Sequence, residues 1–157
     1  MRTLSKKTQY TLRALYNLAG KHGGSPVAIA EMAQEELIPK KFLEQILLVL
    51  KREGLVSSKA GCQGGYSLAR PPEQITAGEV IRLMEGPLAP LPCASETRFR
   101  KCDECVDIHT CGTRMVMREV RDAIAQILDR TSIAEICRRQ SDARDQSSQR
   151  ETLMYYI

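Results

Sequence analysis

Four of the six cysteines in this 157-residue chain fall in one short stretch, as Cys93-x8-Cys102-x2-Cys105-x5-Cys111. Thiolates are soft donors, and cysteines grouped in a reducing compartment are more often metal ligands than disulfide partners. Three chemistries fit the spacing. A closed zinc site usually draws on two x2 pairs, and here there is one. A thiol–disulfide switch needs only two of the four. An iron–sulfur centre tolerates irregular spacing and orders a long loop. Pro92 and Gly112 bracket the set, so the loop can bend around a centre. Cys62 and Cys137 stand alone. Cys62 reads as a neutral exposed position or a redox sensor, and Cys137 as a small buried hydrophobe. No Ser-His-Asp set, paired catalytic carboxylates or Gly-Lys-Ser/Thr loop is present, so the chain reads as a non-enzyme.

Charge points to a second kind of chemistry. Residues 1–70 carry a net charge of +6 and residues 71–157 a net charge of −2. A basic half is a candidate nucleic-acid surface, because Lys and Arg neutralise phosphates and release counterions. The cations and polar groups suited to this are Lys6, Lys7, Lys40, Lys41, Glu44, Gln45 and Lys59. Glu44 can accept from a cytosine amino group, Gln45 can pair with an adenine edge, and Lys6, Lys7 and Lys59 suit phosphate.

These residues sit on elements that the apolar pattern predicts. Residues 5–21 read as a first helix with Tyr10, Leu12, Leu15, Leu18 and Ala19 on one face. After a Gly-Gly-Ser-Pro break, residues 27–34 read as a short second helix with Ile29 and Met32 inward. Pro39 suits the first position of a third helix, from about Lys40 to Glu53, with Phe42, Leu43, Ile46, Leu47 and Leu50 buried. Gly54 stands where a left-handed helix stop belongs. Two short half-apolar runs, Leu55–Ser58 and Tyr66–Ala69, flank a glycine-rich tip and read as a hairpin. Gly64 and Gly65 suit close approach of backbone to phosphate. Helix, helix-turn-helix and glycine hairpin in this order make a winged helix-turn-helix, whose third helix enters the major groove.

Thr76-Ala77-Gly78-Glu79 is a capping box opening a fourth helix, which Gly86-Pro87 ends. Residues 87–112 lack a helical period, unusual for so long a loop unless something orders it. A long helix over 113–130 carries one apolar stripe, Met117, Val120, Ile124, Ile127 and Leu128, bounded by charge, which favours a seam with a second copy. Ser132-Ile133-Ala134-Glu135 is a second capping box, opening a short helix to about Arg139. The polar residues 140–152 read as disordered, before an apolar end, Leu153–Ile157. The division expected is a DNA-binding domain (1–86), a cysteine loop (87–112), a dimerisation helix with a short last helix (113–139), and a tail (140–157).

Composition is that of a globular chain, 43% apolar and 27% charged, with 4% aromatic residues and no Trp, so the core is aliphatic. No apolar run approaches the roughly 20 residues of a membrane span, and MRTLSKKTQY lacks the apolar stretch of a secretory signal. The expectation is a cytoplasmic protein with no membrane partner and no small-molecule substrate.

The ordered motifs Ser5-Lys6-x-x-x-Tyr10-x-x-Arg13-Ala14-Leu15, Phe42-Leu43-Glu44-Gln45-Ile46-Leu47, Gly64-Gly65-Tyr66-x-Leu68-Ala69-Arg70-Pro71, Ile75-Thr76-x-Gly78-Glu79-Val80-Ile81, and the cysteine loop followed by Arg114-x-x-x-x-Glu119-Val120-Arg121-Asp122 carry a resemblance. Residues 1–139 resemble the IscR/NsrR-type, or Rrf-two, family of bacterial transcription regulators. The resemblance implies a mainly α, winged-helix homodimer held by the long helix, which binds DNA with an affinity set by the state of an iron–sulfur cluster. Such a cluster often takes three loop cysteines and one other ligand: a His three residues past the last cysteine, or a residue on the first helix. Here those places hold Arg114 and Thr8, and a fourth loop cysteine is present. The expectation is therefore a [4Fe–4S] cluster on Cys93, Cys102, Cys105 and Cys111, with His109 the runner-up ligand and [2Fe–2S] or zinc the alternative centres. In the wing, Ala60 stands where Arg is common, after Lys59, and Cys62 where Pro is common. Against this regulator stand two other functions: a small electron-transfer or cluster-carrier protein, and a zinc-bound structural regulator.

Overall fold

A computed structural model describes residues 4–61 and 63–154; Cys62 and the last three residues, on which two of the expectations above fall, lie outside it. The elements run α1 (Lys6–Gly20), α2 (Ile29–Glu35), α3 (Lys40–Arg52), β1 (Val56–Lys59), β2 (Gly65–Leu68), α4 (Ala77–Glu85), α5 (Gly112–Arg130) and α6 (Ile133–Met154), with 3-10 turns at Pro72–Gln74 and Pro92–Ala94. This is the winged helix-turn-helix followed by a long helix, α5, that the sequence predicts. The chain gathers into two compact units. One holds α1 as far as Leu12 with Thr76–Thr131, and the other holds Arg13–Ile75 with the residues from Ser132 onward.

The second unit is built on aliphatic burial. Leu15 and Leu18 of α1, Met32 of α2, and Leu43, Ile46, Leu47 and Leu50 of α3 are all buried, with Leu55 and Ile75. The α3 side chains recur at helical spacing, so one stripe turns inward and the rest of the helix stays in water. Gly54 takes a φ of 69° and ends α3 as expected. Between α2 and α3, Leu37 takes a φ of 50°, a region L-residues with bulky side chains avoid.

The wing pairs Val56 with Leu68, Ser57 with Ser67, Ser58 with Tyr66 and Lys59 with Gly65, antiparallel. Val27 adds a bridge on the outer side, exchanging 2.8 Å hydrogen bonds with Tyr66 in both directions. That bridge draws Val27 out of the second helix, which starts two residues later than its apolar pattern suggests.

In the first unit, Thr76 Oγ1 accepts from the Glu79 N–H at 3.2 Å, the capping box at the start of α4. Arg82 on α4 grips Asp129 on α5 through two parallel hydrogen bonds. Gly78 is buried beside this pair, and a Cβ there would lie 2.0 Å from Asp129 Oδ1.

The last helix departs from expectation. Ser132 caps it, its Oγ accepting from the Glu135 N–H at 3.1 Å, but α6 does not stop near Arg139. It continues to Met154 through the polar stretch expected to be disordered. Nothing in 140–152 breaks a helix: there is no Gly or Pro, and Arg, Gln, Ala and Glu are good helix formers. Glu135 also pairs with Arg138 and Arg139 one turn on. Lack of an apolar period indicates a helix with no buried stripe; it does not by itself exclude a helix.

Candidate nucleic-acid interface and cysteine loop

The outer face of α3 carries Lys40, Lys41, Glu44, Gln45, Lys51 and Arg52, all exposed. Lys51 donates to Ser58 Oγ of the wing at 2.7 Å, and Arg52 pairs with Glu53. Lys40, Lys41, Glu44 and Gln45 make no side-chain hydrogen bond or ion pair among the described residues. A helix that presents free donors and acceptors over a packed apolar base has the form of a groove reader. Lys59 is exposed at the end of β1, and Lys6 and Lys7 on the first turn of α1.

The wing glycines have an internal reason to be glycine. A Cβ at Gly65 would lie 2.4 Å from the Val27 carbonyl oxygen, and one at Gly64 2.3 Å from that of Lys59. The backbone approach that excludes a side chain is therefore the protein's own, which spacing alone could not reveal.

The cysteine loop belongs to the first unit. Cys93 sits in the 3-10 turn Pro92–Ala94 and is buried. Cys111 is the N-cap residue of α5 and is half-buried. Cys102 is exposed and Cys105 half-buried, and the Cys105 N–H donates to the Cys102 carbonyl at 3.2 Å. Burial pushes the Cys93 thiol above its ordinary range; the neighbouring Cys102 adds to this, and the charge of Cys111 adds further. His109 is exposed, its N–H donating to Asp107 Oδ1 at 2.9 Å. Cys137, in the other unit, is half-buried rather than buried, and its thiol donates to the Tyr16 carbonyl at 3.9 Å.

Two arginines tie the loop to α5, a role that neither residue type nor spacing signals. Arg114 Nε donates to the Cys93 carbonyl at 2.9 Å, and its Nη1 to that of Ile108 at 3.5 Å, with the guanidinium 6.0 Å from the Phe99 ring centre. Two turns further along, the buried Arg121 donates to the Ala94 carbonyl at 2.6 Å and pairs with Glu96 and Asp122. Both sides of the loop therefore bond to one face of α5. In place of a ligand, position 114 holds a donor to the backbone of a cysteine. Thr8, the first-helix position, is buried and donates to Glu85 Oε1.

Four thiols in one loop fit the donor chemistry of an iron–sulfur centre or of zinc. In the arrangement described, no group of three or more His, Cys, Asp or Glu side chains is close enough to hold one metal ion among the described residues. The apolar stripe of α5 is left incomplete: Met117, Val120, Ile124 and Leu128 are half-exposed and Ile127 is 67% exposed, alongside the exposed Met115 and Val116.

A family model described as "Rrf2: Iron-dependent Transcriptional regulator" matches residues 4–139. The chain belongs to the Rrf2 family. As an Rrf2 regulator it is similar to an rrf2-like HTH-type transcriptional regulator of Rhodobacter capsulatus, 38% identical over 85% of this chain and 91% of that one. It is also similar to two solved structures. That of CymR (YrzC), the global cysteine regulator of B. subtilis, is 32% identical, with a TM-score of 0.72 over 87% of this chain and 97% of that chain. That of T. potens IscR is likewise 32% identical, with a TM-score of 0.70 over 90% of each chain. The first two of these relatives are named as regulators, not enzymes. The Rrf2 chain is accordingly a DNA-binding transcriptional regulator that works as a homodimer through its long C-terminal helices. Among the described residues no helix is long and apolar enough to cross a membrane.

Proposed function

We propose that this Rrf2 regulator is of the cluster-bearing kind, with its affinity for DNA set by an iron–sulfur centre held by Cys93, Cys102, Cys105 and Cys111. The observation that carries the reading is the loop that holds Cys93, Cys102, Cys105 and Cys111, with Cys93 buried and the loop bonded at Cys93 and Ile108 to Arg114 of α5. When bound, such a centre supplies a redox- and oxygen-sensitive site on sulfur donors. Everything else is work for the chain's own groups. The loop needs its thiolates gathered to hold one shape. With Cys111 fixed at the N-cap of α5 and Arg114 on the Cys93 carbonyl, the shape of the loop sets the start of the dimer helix. The dimer seam, Met117, Val120, Ile124, Ile127 and Leu128, then sets the separation of the two reading helices. That separation must match half-sites about 34–36 Å apart, or a multiple of this. A coupling on the order of 1–3 kcal/mol is enough to switch occupancy. The DNA contacts in this reading are Lys6, Lys7, Lys40, Lys41, Glu44, Gln45 and Lys59 with the wing backbone at Gly64 and Gly65.

Anaerobic purification tests this. The expected protein is brown, with equal iron and acid-labile sulfide. Cys102→Ala loses both, and the loss of iron and sulfide shifts operator affinity. Iron and sulfide unchanged in Cys102→Ala would refute the four-thiolate assignment. Colourless protein loaded with zinc would instead support a structural zinc regulator, and metal-free protein with reversibly oxidised thiols would support a thiol switch. The thiol switch draws on the exposed Cys102 and on the absence of a gathered ligand set among the described residues. Separately, Lys41→Ala or Lys59→Ala should weaken DNA binding and lower the salt slope by about one unit for each phosphate that is no longer neutralised. An unaltered slope for both would move the DNA elsewhere.

A further inference from the structure

At the centre of the outer face of α3 stands an apolar side chain that the basic composition does not account for. Leu48 is 63% exposed. It lies seven residues from Lys41, four from Glu44, three from Gln45 and four from Arg52, so at about 100° per residue all five share one face. The opposite face is the buried row Leu43, Ile46, Leu47 and Leu50. A lone exposed leucine is unremarkable on most surfaces. This one sits inside a row whose Lys41, Glu44 and Gln45 have no partner among the described residues.

We propose that Leu48 is a specificity-determining residue that packs on the 5-methyl group of a thymine in the major groove. The inference rests on α3 being the reading helix. On base edges in that groove the thymine methyl is the one apolar group; every other feature is a donor or acceptor. An apolar side chain flanked by free polar ones therefore complements thymine and no other base. The helix rise of about 1.5 Å per residue puts Leu48 about 6 Å along the axis from Glu44. The thymine thus lies about two base pairs from the base that Glu44 contacts. The cations around it, Lys40, Lys41, Lys51 and Arg52, suit the phosphates that border a groove better than an apolar protein partner.

The experiment uses the full-length protein and an operator that it selects from randomised duplex DNA. Each thymine of the operator is replaced in turn by deoxyuridine, which removes the methyl and leaves the base pair. For the unaltered protein, one position in each half-site should weaken binding about fourfold, the value of one buried methyl-sized group. Leu48→Ala should bind the thymine operator about fourfold more weakly per half-site and be indifferent to uracil at that position. A Leu48→Ala protein that keeps the full uracil penalty at every thymine, or that binds as the unaltered protein does, overturns the proposal. Glu44→Ala and Gln45→Ala separate the two levels of failure. If they change the selected sequence while Leu48→Ala does not, the helix reads DNA without Leu48. If none of the three changes it, α3 is not the reading helix and the premise falls. Leu48 is exposed, so its truncation leaves the core under α3 intact, and an unchanged thermal unfolding curve verifies that.

Discussion

The helix-turn-helix and the cysteine loop with its dimer helix are held together in opposite ways. The first closes on itself: Leu15, Leu18, Met32, Leu43, Ile46, Leu47 and Leu50 are buried, and Lys40, Lys41, Glu44 and Gln45 on its outer face have no side-chain partner among the described residues. The second is held by polar bonds to backbone oxygens from Arg114 and Arg121, while Phe99, Val106, Met115, Val116 and Ile127 stay exposed. One is complete as a folded object and incomplete only as a binder. The other has apolar surface and soft donors still unused, which in the proposed reading a second copy and a cluster take up.

The largest expected contrast comes from truncating one aliphatic residue in each region. Leu47→Ala should lower folding stability by about 2–5 kcal/mol, as for other fully buried leucines. Ile127→Ala should leave the unfolding of the isolated chain almost unchanged and weaken dimerisation instead, by roughly 1 kcal/mol per copy. Denaturant melts at several protein concentrations separate the two effects. If Ile127→Ala lowered stability as Leu47→Ala does, independent of concentration, α5 would be an ordinary core helix and the contrast would fail.

A smaller effect of opposite sign sharpens the picture inside the helix-turn-helix. Leu37 combines a φ of 50° with 81% exposure, so it carries backbone strain without compensating burial. Leu37→Gly should relieve about 1–2 kcal/mol of left-handed strain and give back part of it through the greater freedom of glycine in the unfolded chain. A net gain of roughly 0.5–1 kcal/mol is expected, read as a higher urea midpoint at constant slope. A drop in stability would show that Leu37 has a packing role its exposure hides.

These cases mark what is legible in the sequence. The helix and strand boundaries near Pro39, Gly54, Thr76 and Ser132 are readable because capping and positive φ are local, and each depends on one or two residues. The gathering of the cysteines into one loop is also readable, being a matter of spacing. Contacts between distant positions are not. Arg114, for example, donates to the Cys93 carbonyl 21 residues away. The wing positions Gly64 and Gly65 are held to glycine by the Lys59 and Val27 backbone. Leu48 stays hidden because a leucine on a helix reads as core until its face is known. The length of α6 is not legible because periodicity detects burial, and residues 140–147 are exposed.

The smallest predicted effect concerns how α4 is fastened to α5. The Arg82 guanidinium, through its hydrogen bonds and then its charge, holds the Asp129 carboxyl below the usual carboxylate range. A depressed folded value means that the pair contributes stability at all pH above the ordinary carboxyl value of about 3.9, and that the contribution disappears as pH falls through the folded value. Both partners are well exposed, so solvent screening limits the contribution to roughly 1 kcal/mol or less. Asp129→Asn should therefore be slightly less stable than the unaltered chain at neutral pH, with the gap constant down to about pH 4 and closing below it. High salt should shrink the gap at neutral pH. Gly78→Ala supplies an independent check. Its Cβ would occupy the space of Asp129 Oδ1, so the variant should lose the same acid-sensitive part of stability while both charged residues remain. If the gap instead widened in acid, the group responsible would be one whose folded pKa is raised, and Asp129 would not be the fastening between α4 and α5.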